Sequence, residues 1–440
     1  MEQQLKNIFS PSLSEMGGNL VQKTRGDKVI WTIILILTIA SLLLVYSSTG
    51  SLAYRMSKST ESYLFKQFAF IILGLILIYF AHRVNYSIYS KIALYLFLIS
   101  IPLLLYTLFF GVQLNAGSRW IKLPVINLTF QTSDLAKLAL FMYLSRMLSR
   151  KQNQNVIKDF HKGFLPVIAP VAIICLLIAP ANLSTAILIG GTSIILMFIG
   201  RARIKHLLGV VGIAMIPVIM LLVIAVSTYD SETDETKKLT GILSQGRIPT
   251  WISRIQTFVY GSKESDNEKL YQINQAKIAI ANGGWLGLGP GNSEQRNFLP
   301  HSYSDFIYAI IIEEYGIIGG AFMILIYLLF LYRCIRIYRR CPYAFGAFLA
   351  LALSFTLVIQ AIVNMGVNVN LFPNTGVTLP LVSMGGSSFL FTCLSIGIIL
   401  SVARNVEQLE GNQPQMETAD KVKDTESQNE NTEDNDSNEL

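Results

Sequence analysis

Ten stretches of this chain are apolar for long enough to cross a lipid bilayer, and that constraint outranks every other. A transmembrane helix needs about 20 apolar residues. Runs of that kind lie near 29–47, 67–82, 91–110, 133–150, 163–180, 182–200, 207–227, 304–333, 345–366 and 381–403. The second is short, and the fourth opens with Asp134 and Lys137. Composition agrees, since only 14% of the 440 residues are charged, against about 25% in a soluble domain. The sequence therefore predicts an all-α integral membrane protein with ten transmembrane helices. The first run begins near Val29 after a polar stretch and reads as a span, not as a cleaved signal.

Loop charge orients the spans. With the N-terminus inside, the inner segments hold nineteen Lys and Arg and the short outer loops hold five: Arg55, Lys58, Lys66, Arg119 and Lys122. Such a bias places the basic side in the cytoplasm, and with it both termini. Three regions are expected: a cytoplasmic segment over 1–28, a transmembrane domain over 29–403 and an acidic tail over 404–440. Residues 405–440 carry eleven Asp and Glu against two Lys and no aromatic residue, too little apolar content to fold. One connection, 228–303, is far longer than the others and falls between helices 7 and 8 on the extracytoplasmic face. Its aromatics, Trp251, Phe258, Tyr271, Trp285 and Phe298 among them, predict that part of it packs, whereas Ser231 to Lys238 reads as mobile.

Several function classes drop out. The pI near 9 follows from basic loops beside spans, so nucleic-acid binding is not expected. Cys175, Cys334, Cys341 and Cys393 have no paired spacing, so neither a disulfide framework nor a zinc site is indicated. There is no Ser/His/Asp triad and no P-loop.

Ionisable residues inside spans are functional candidates. Asp134 and Lys137 are spaced i, i+3 and share a helix face. They are either a self-neutralising pair or a charged site for a phosphate-bearing ligand. Ser304-Asp305 opens the eighth run, where spacing alone makes either residue a helix N-cap. Glu313 and Glu314 lie about 12–14 Å deeper at 1.5 Å per residue, as a structural polar lock or a site. Residues 283–291 contain five glycines, a density that permits sharp turns and close backbone approach, after a helix expected from about Glu268 to Ala281. A second cluster, Met384-Gly385-Gly386-Ser387-Ser388, opens the tenth run and serves either close helix packing or an anion at a helix N-terminus.

In these motifs the chain resembles the SEDS family (shape, elongation, division and sporulation). The resemblance rests on Gly117-Ser-Arg-Trp-Ile121, Gln131-Thr-Ser-Asp-Leu-Ala-Lys137, Asn182-Leu-Ser-Thr-Ala186, Arg254-Ile-Gln-Thr-Phe258 and Tyr271-Gln272. It continues through Ser304-Asp-Phe-Ile-Tyr-Ala309, Glu313-Glu-Tyr-Gly316, Asn374-Thr-Gly376 and Leu379-Pro-Leu-Val-Ser-Met-Gly-Gly-Ser-Ser388. Gly289-Pro-Gly-Asn-Ser293 with Arg296 and Phe298-Leu-Pro300 resembles the division branch more than the elongation branch. Three departures stand out: Thr132 and Asp134 for the usual Pro and Glu, Asn182 for Asp, and His301 and Tyr303 before Asp305.

The resemblance implies a peptidoglycan glycosyltransferase of the cytoplasmic (inner) membrane, acting at the division septum. Its substrate would be lipid II, the undecaprenyl-pyrophosphate-linked disaccharide peptide. Asp305 is then the catalytic general base in place of a cap. Lys137, Asp134, Arg119, Trp120, Arg254, Gln272, Asn292, Ser387 and Ser388 are candidate substrate-binding residues. A divalent cation, Mg2+ or Mn2+, is a candidate helper for the leaving pyrophosphate. Expected partners are a class b penicillin-binding transpeptidase and other division proteins. The alternatives are a lipid II flippase and an elongation polymerase.

Overall fold

The computed structural model describes residues 26–50, 60–114, 117–122, 129–153, 156–228, 248–260, 268–299 and 302–410. The segment Ser231–Lys238, His301 and the tail beyond 410 lie outside them. The described chain is mostly helical. Eight helices are long and apolar enough to cross a membrane: α1 Lys28–Ser48, α2 Thr60–Arg83, α3 Tyr86–Phe110, α5 Phe160–Ile178, α7 Ile204–Ser227, α10 Ile307–Arg340, α11 Ala344–Asn368 and α12 Ser387–Glu410. Two further helices, α4 Thr132–Asn153 and α6 Leu183–Ile199, stand where the fourth and sixth spans were expected. The first carries too much charge, and the second, at 17 residues, is too short to rank with the eight. The 228–303 connection contributes α8 Ile248–Tyr260 and α9 Glu268–Gly283.

The all-α expectation needs one correction. Between α3 and α4 lies a small antiparallel sheet of β1 Val112–Leu114, β2 Gly117–Lys122 and β3 Thr129–Gln131. Its register pairs Trp120 with Gln131 and Ile121 with Phe130. Strands of three to six residues leave too few alternations for a period-2 pattern to emerge.

The helices are graded by burial. In α11, 78% of the apolar window is buried, against 6% in α7, where Leu207 and Ala225 are the buried residues. Leu140, Phe141, Leu144 and Leu148 of α4 are fully buried, so α4 is a central helix despite its polar start. An apolar residue facing lipid needs no partner, which is why α7 can stand at the periphery.

Helix α10 has 34 residues, about 51 Å, and Gly316 breaks it with φ 69° and ψ −174°. The glycine-rich segment 283–291 enters this break. Leu288 and Gly289 donate their N–H groups to the carbonyls of Glu313 and Glu314 at 2.9 and 3.0 Å, and Ile317 N–H donates to Gly284 O at 2.9 Å. A Cβ on Gly316 would lie 2.1 Å from Trp285 O, and one on Gly283 2.1 Å from Ile312 O. Close backbone approach is what these glycines permit.

Glu313 and Glu314 hold the same junction together. Ser293 Oγ donates to Glu313, whose Oε1 also accepts from Gln295 N–H at 3.2 Å. Ser47 Oγ at the end of α1 donates to Glu314, and Arg296 Nη1 donates to Ser47 O at 3.0 Å. The acidic pair is a polar lock between α1, α10 and the glycine-rich segment. At the opposite end of the bundle, Asp27 caps α1 through Val29 and Ile30 N–H and pairs with Arg333 at 2.6 Å. Gly26 N–H donates to Glu407 there at 2.7 Å, so both ends of the described chain meet on one side.

Candidate active site

A cavity of about 620 Å³ opens at the α4 N-terminal end of the bundle. Trp120 of β2 and Gln131 of β3 form part of its wall, and α4 contributes Asp134 and Lys137. Asn182, Thr185 and Leu188 come from α6, Arg254 from α8 and Gln272 from α9. Tyr303, Ser304 and Asp305 enter from the segment before α10, Gln360 from α11, and Gly385, Gly386 and Ser388 from the start of α12. Thus a chain region spread from Trp120 to Ser388 converges on one space.

The Lys137 ammonium is oriented by two acceptors, Asp134 Oδ1 at 3.4 Å and Gln360 Oε1 at 3.1 Å. Gln360 Nε2 in turn donates to Thr378 O at 3.0 Å. An ammonium has three donors, and Lys137 keeps 14% side-chain exposure, so it still presents charge to the cavity. Asp134 is 4% exposed, and its Oδ2 has no hydrogen-bond partner among the described residues.

Asp305 does not cap α10. The cap position is Phe306, without a side-chain bond, and in the first turn Ala309 N–H donates to Phe306 O at 3.1 Å and to Asn368 Oδ1 at 3.0 Å. Asp305 Oδ2 lies 3.6 Å from the place a Cβ would take on Gly376, where φ is +63°. A Cβ there would make ordinary contact with the carboxylate, so the left-handed backbone and not space is what favours glycine. Neighbouring Tyr303 is held above its usual pKa, first by burial and then by Tyr63 and Asp305, so its hydroxyl stays protonated and able to donate.

Asn182 caps α6, its Oδ1 accepting from Thr185 N–H at 3.4 Å. Asn and Asp are equivalent in that role, which accounts locally for an amide at this position. Ser387 is buried and its Oγ accepts Gln131 N–H at 3.3 Å, tying the sheet to α12. The N-terminus of α12 adjoins the cavity, where its dipole favours an anion.

The candidate residues divide as follows. Asp305, Lys137, Asp134, Trp120, Arg254, Gln272 and Ser388 line the cavity. Ser387 stands behind its wall. Arg119 is placed in β2 by its backbone. Asn292 is not among the residues lining the cavity; it is exposed beside the glycine-rich turn, with Nδ2 donating to Leu288 O at 3.0 Å. Residues missed at first are Gln360, Asn364 and Asn368, buried polar side chains spaced i, i+4, i+8 on α11. That spacing marks one helix face, but a neutral amide carries none of the charge that marks an ionisable residue inside a span. Among the described residues no group of three or more His, Cys, Asp or Glu could hold a metal ion.

A family model described as a cell cycle protein, uniting FtsW, RodA and SpoVE, matches residues 27–408. The chain belongs to this SEDS family. A probable peptidoglycan glycosyltransferase FtsW of Trichlorobacter lovleyi is 31% identical over 385 residues, 87% of this chain and 94% of that protein. The stage V sporulation protein E of Bacillus subtilis is 32% identical over 391 residues, 87% of this chain and 98% of the relative. Among solved structures, a chain from a study of polymerization and crosslinking by a peptidoglycan synthase complex superposes with a TM-score of 0.65. It shares 22% identity and covers 87% of this SEDS chain and 99% of its own. RodA of Thermus thermophilus gives 0.57 at 22% identity, with 84% and 96% covered. These likenesses make the fold a SEDS membrane fold.

Proposed function

We propose that this SEDS protein is a peptidoglycan glycosyltransferase that polymerises lipid II for septal wall synthesis, with the cavity as its active site. The observation that carries the reading is the convergence of Asp305 and Lys137 on one cavity. A carboxylate and a cation are the two groups such a transfer requires. Relatives named as FtsW glycosyltransferases along nearly their whole length support the substrate class and the division role.

In the proposed arrangement ten helices cross the membrane, with α4 and α6 completing the count, both termini in the cytoplasm and 228–303 outside. The charge bias supports this orientation, as does the meeting of Gly26 with Glu407. The cavity then faces the extracytoplasmic side.

Asp305 accepts the proton of the acceptor sugar's 4-hydroxyl as general base. The freed oxygen attacks the anomeric carbon of the lipid-linked donor, forming the new glycosidic bond with inversion. The bond from that carbon to undecaprenyl pyrophosphate breaks, and its electron pair leaves with the pyrophosphate. One base is enough, because a pyrophosphate leaves with little acid help. Lys137 and Arg254, with Arg119 on the neighbouring strand, meet its charge. A divalent cation, Mg2+ or Mn2+, would supply further neutralisation of the pyrophosphate charge beside these residues. A class b penicillin-binding transpeptidase is the proposed partner, in keeping with the coupled polymerization and crosslinking named for the structural relative.

Purified protein with its cognate transpeptidase should convert labelled lipid II into polymer resolvable on a gel. Transport of lipid II across liposomes without any polymer would contradict the reading and favour a flippase.

A further inference from the structure

Helix α10 begins beside the carboxylate that the proposed reaction needs, and a helix start attracts carboxylates. The first N–H groups of any helix lack internal partners, and an Asp next to them is a preferred cap. A carboxylate absorbed in that way would be a weaker base, because hydrogen bonds to the charged form lower its pKa. In this chain the acceptor comes from a different helix. Asn368 Oδ1, near the end of α11, accepts Ala309 N–H in the first turn of α10 at 3.0 Å.

The same amide works in the other direction. Asn368 Nδ2 donates to the backbone carbonyl of Asp305 at 3.0 Å, and Asn364 Nδ2 donates to that carbonyl at 2.9 Å. Both lone pairs of one peptide oxygen are thereby occupied. Asn364 Nδ2 also reaches Val377 O at 2.7 Å, which fixes the loop carrying Gly376 against the Asp305 side chain. Asn364 and Asn368 are each 1% exposed and stand behind the cavity wall, so neither is placed to touch substrate.

We infer that Asn364 and Asn368 are positioning residues: Asn368 caps α10 in trans, and the two amides together hold the Asp305 backbone so that its carboxylate serves the cavity and not the helix. This rests on Asp305 as the general base. The helix α11 then orients both reactive groups, since Gln360, one turn earlier, holds Lys137.

The test uses the purified full chain with its cognate transpeptidase and labelled lipid II. Asn368→Leu should lower kcat by about 10²-fold, the scale of a small misplacement of a catalytic group, with KM for lipid II and the melting temperature close to wild type. With the Asn368 acceptor removed, Ala309 N–H keeps only Phe306 O at 3.1 Å; the Asp305 carboxylate then moves toward the helix start, and the acid limb of the kcat–pH profile moves to lower pH. Lys137, Asp134, Arg254 and Tyr303, which share the cavity, are unchanged in this comparison. Asn364→Leu, which leaves the Ala309 bond intact, should lower kcat without moving the acid limb. Asn368→Ser keeps a hydroxyl able to accept and should recover part of the activity, and it supplies the same readouts if the Leu variant does not fold. Wild-type kcat in Asn368→Leu and Asn368→Ser would overturn the inference. So would losses that track only the folded fraction, with the acid limb in place. Wild-type polymerisation by Asp305→Asn would remove the general-base reading itself, and the positioning role with it.

Discussion

The Lys137 ammonium lies 3.1 Å from Gln360 Oε1, a bond between α4 and α11 that joins residues 223 positions apart. With Asp134 on the other side, it turns a flexible lysine into an oriented cation at the cavity wall.

Gln360→Leu removes that acceptor and leaves Thr378 O without its donor. A hydrogen bond involving a charged group contributes about 1.5–3 kcal/mol, so KM for lipid II should rise on the order of tenfold or more. Gln360→Glu keeps an acceptor for Lys137 and should bind more tightly than the Leu variant. Equal KM values for the two would deny Lys137 its substrate role.

Gly316→Ala should fail to accumulate as folded protein. The position combines φ 69° with a Cβ site 2.1 Å from Trp285 O, and backbone strain alone costs about 1–3 kcal/mol. Gly212→Ala, with nothing within 4 Å, is the control. Detergent-solubilised yield and melting temperature are the readouts, and similar values for both variants would contradict the packing described.

Glu313→Ala strands the Ser293 hydroxyl and Gln295 N–H in a buried site, each loss costing about 1–3 kcal/mol. The melting temperature should fall. Glu313→Gln retains an oxygen acceptor, so it should be milder and should still polymerise lipid II. Abolished polymerisation in a stably folded Gln variant would make Glu313 part of the chemistry and not a lock.

These particulars show where sequence reading stops. The long spans were legible because a bilayer demands about 20 apolar residues in a row, and α1, α3 and α11 follow the runs closely. The status of α4 was ambiguous because its polar start is paired within the bundle, a fact that depends on Gln360 far along the chain. Asp305 was first legible as a cap, and the acceptor that displaces it from that role sits 59 residues from Ala309. The Glu313–Glu314 lock was open in the sequence for the same reason, since Ser47 lies 267 residues from Glu314. Local spacing finds the helices and the motif. Partners contributed by other helices decide what each polar side chain does.

Orientation has its own check. A cysteine introduced at Ser262, between α8 and α9, should react with an impermeant thiol reagent in intact cells. Labelling only after lysis would place 228–303 in the cytoplasm and the cavity on the wrong side for lipid II polymerisation.

The most direct measurement compares Asp305→Asn with wild type, using purified protein, cognate transpeptidase and labelled lipid II. The amide keeps the shape of the carboxylate but cannot take the hydroxyl proton. General-base catalysis contributes about 10²–10⁴-fold, so polymer should nearly vanish while the melting temperature and transpeptidase binding stay at wild-type values. Polymerisation at the wild-type rate by a folded Asp305→Asn protein would contradict the account.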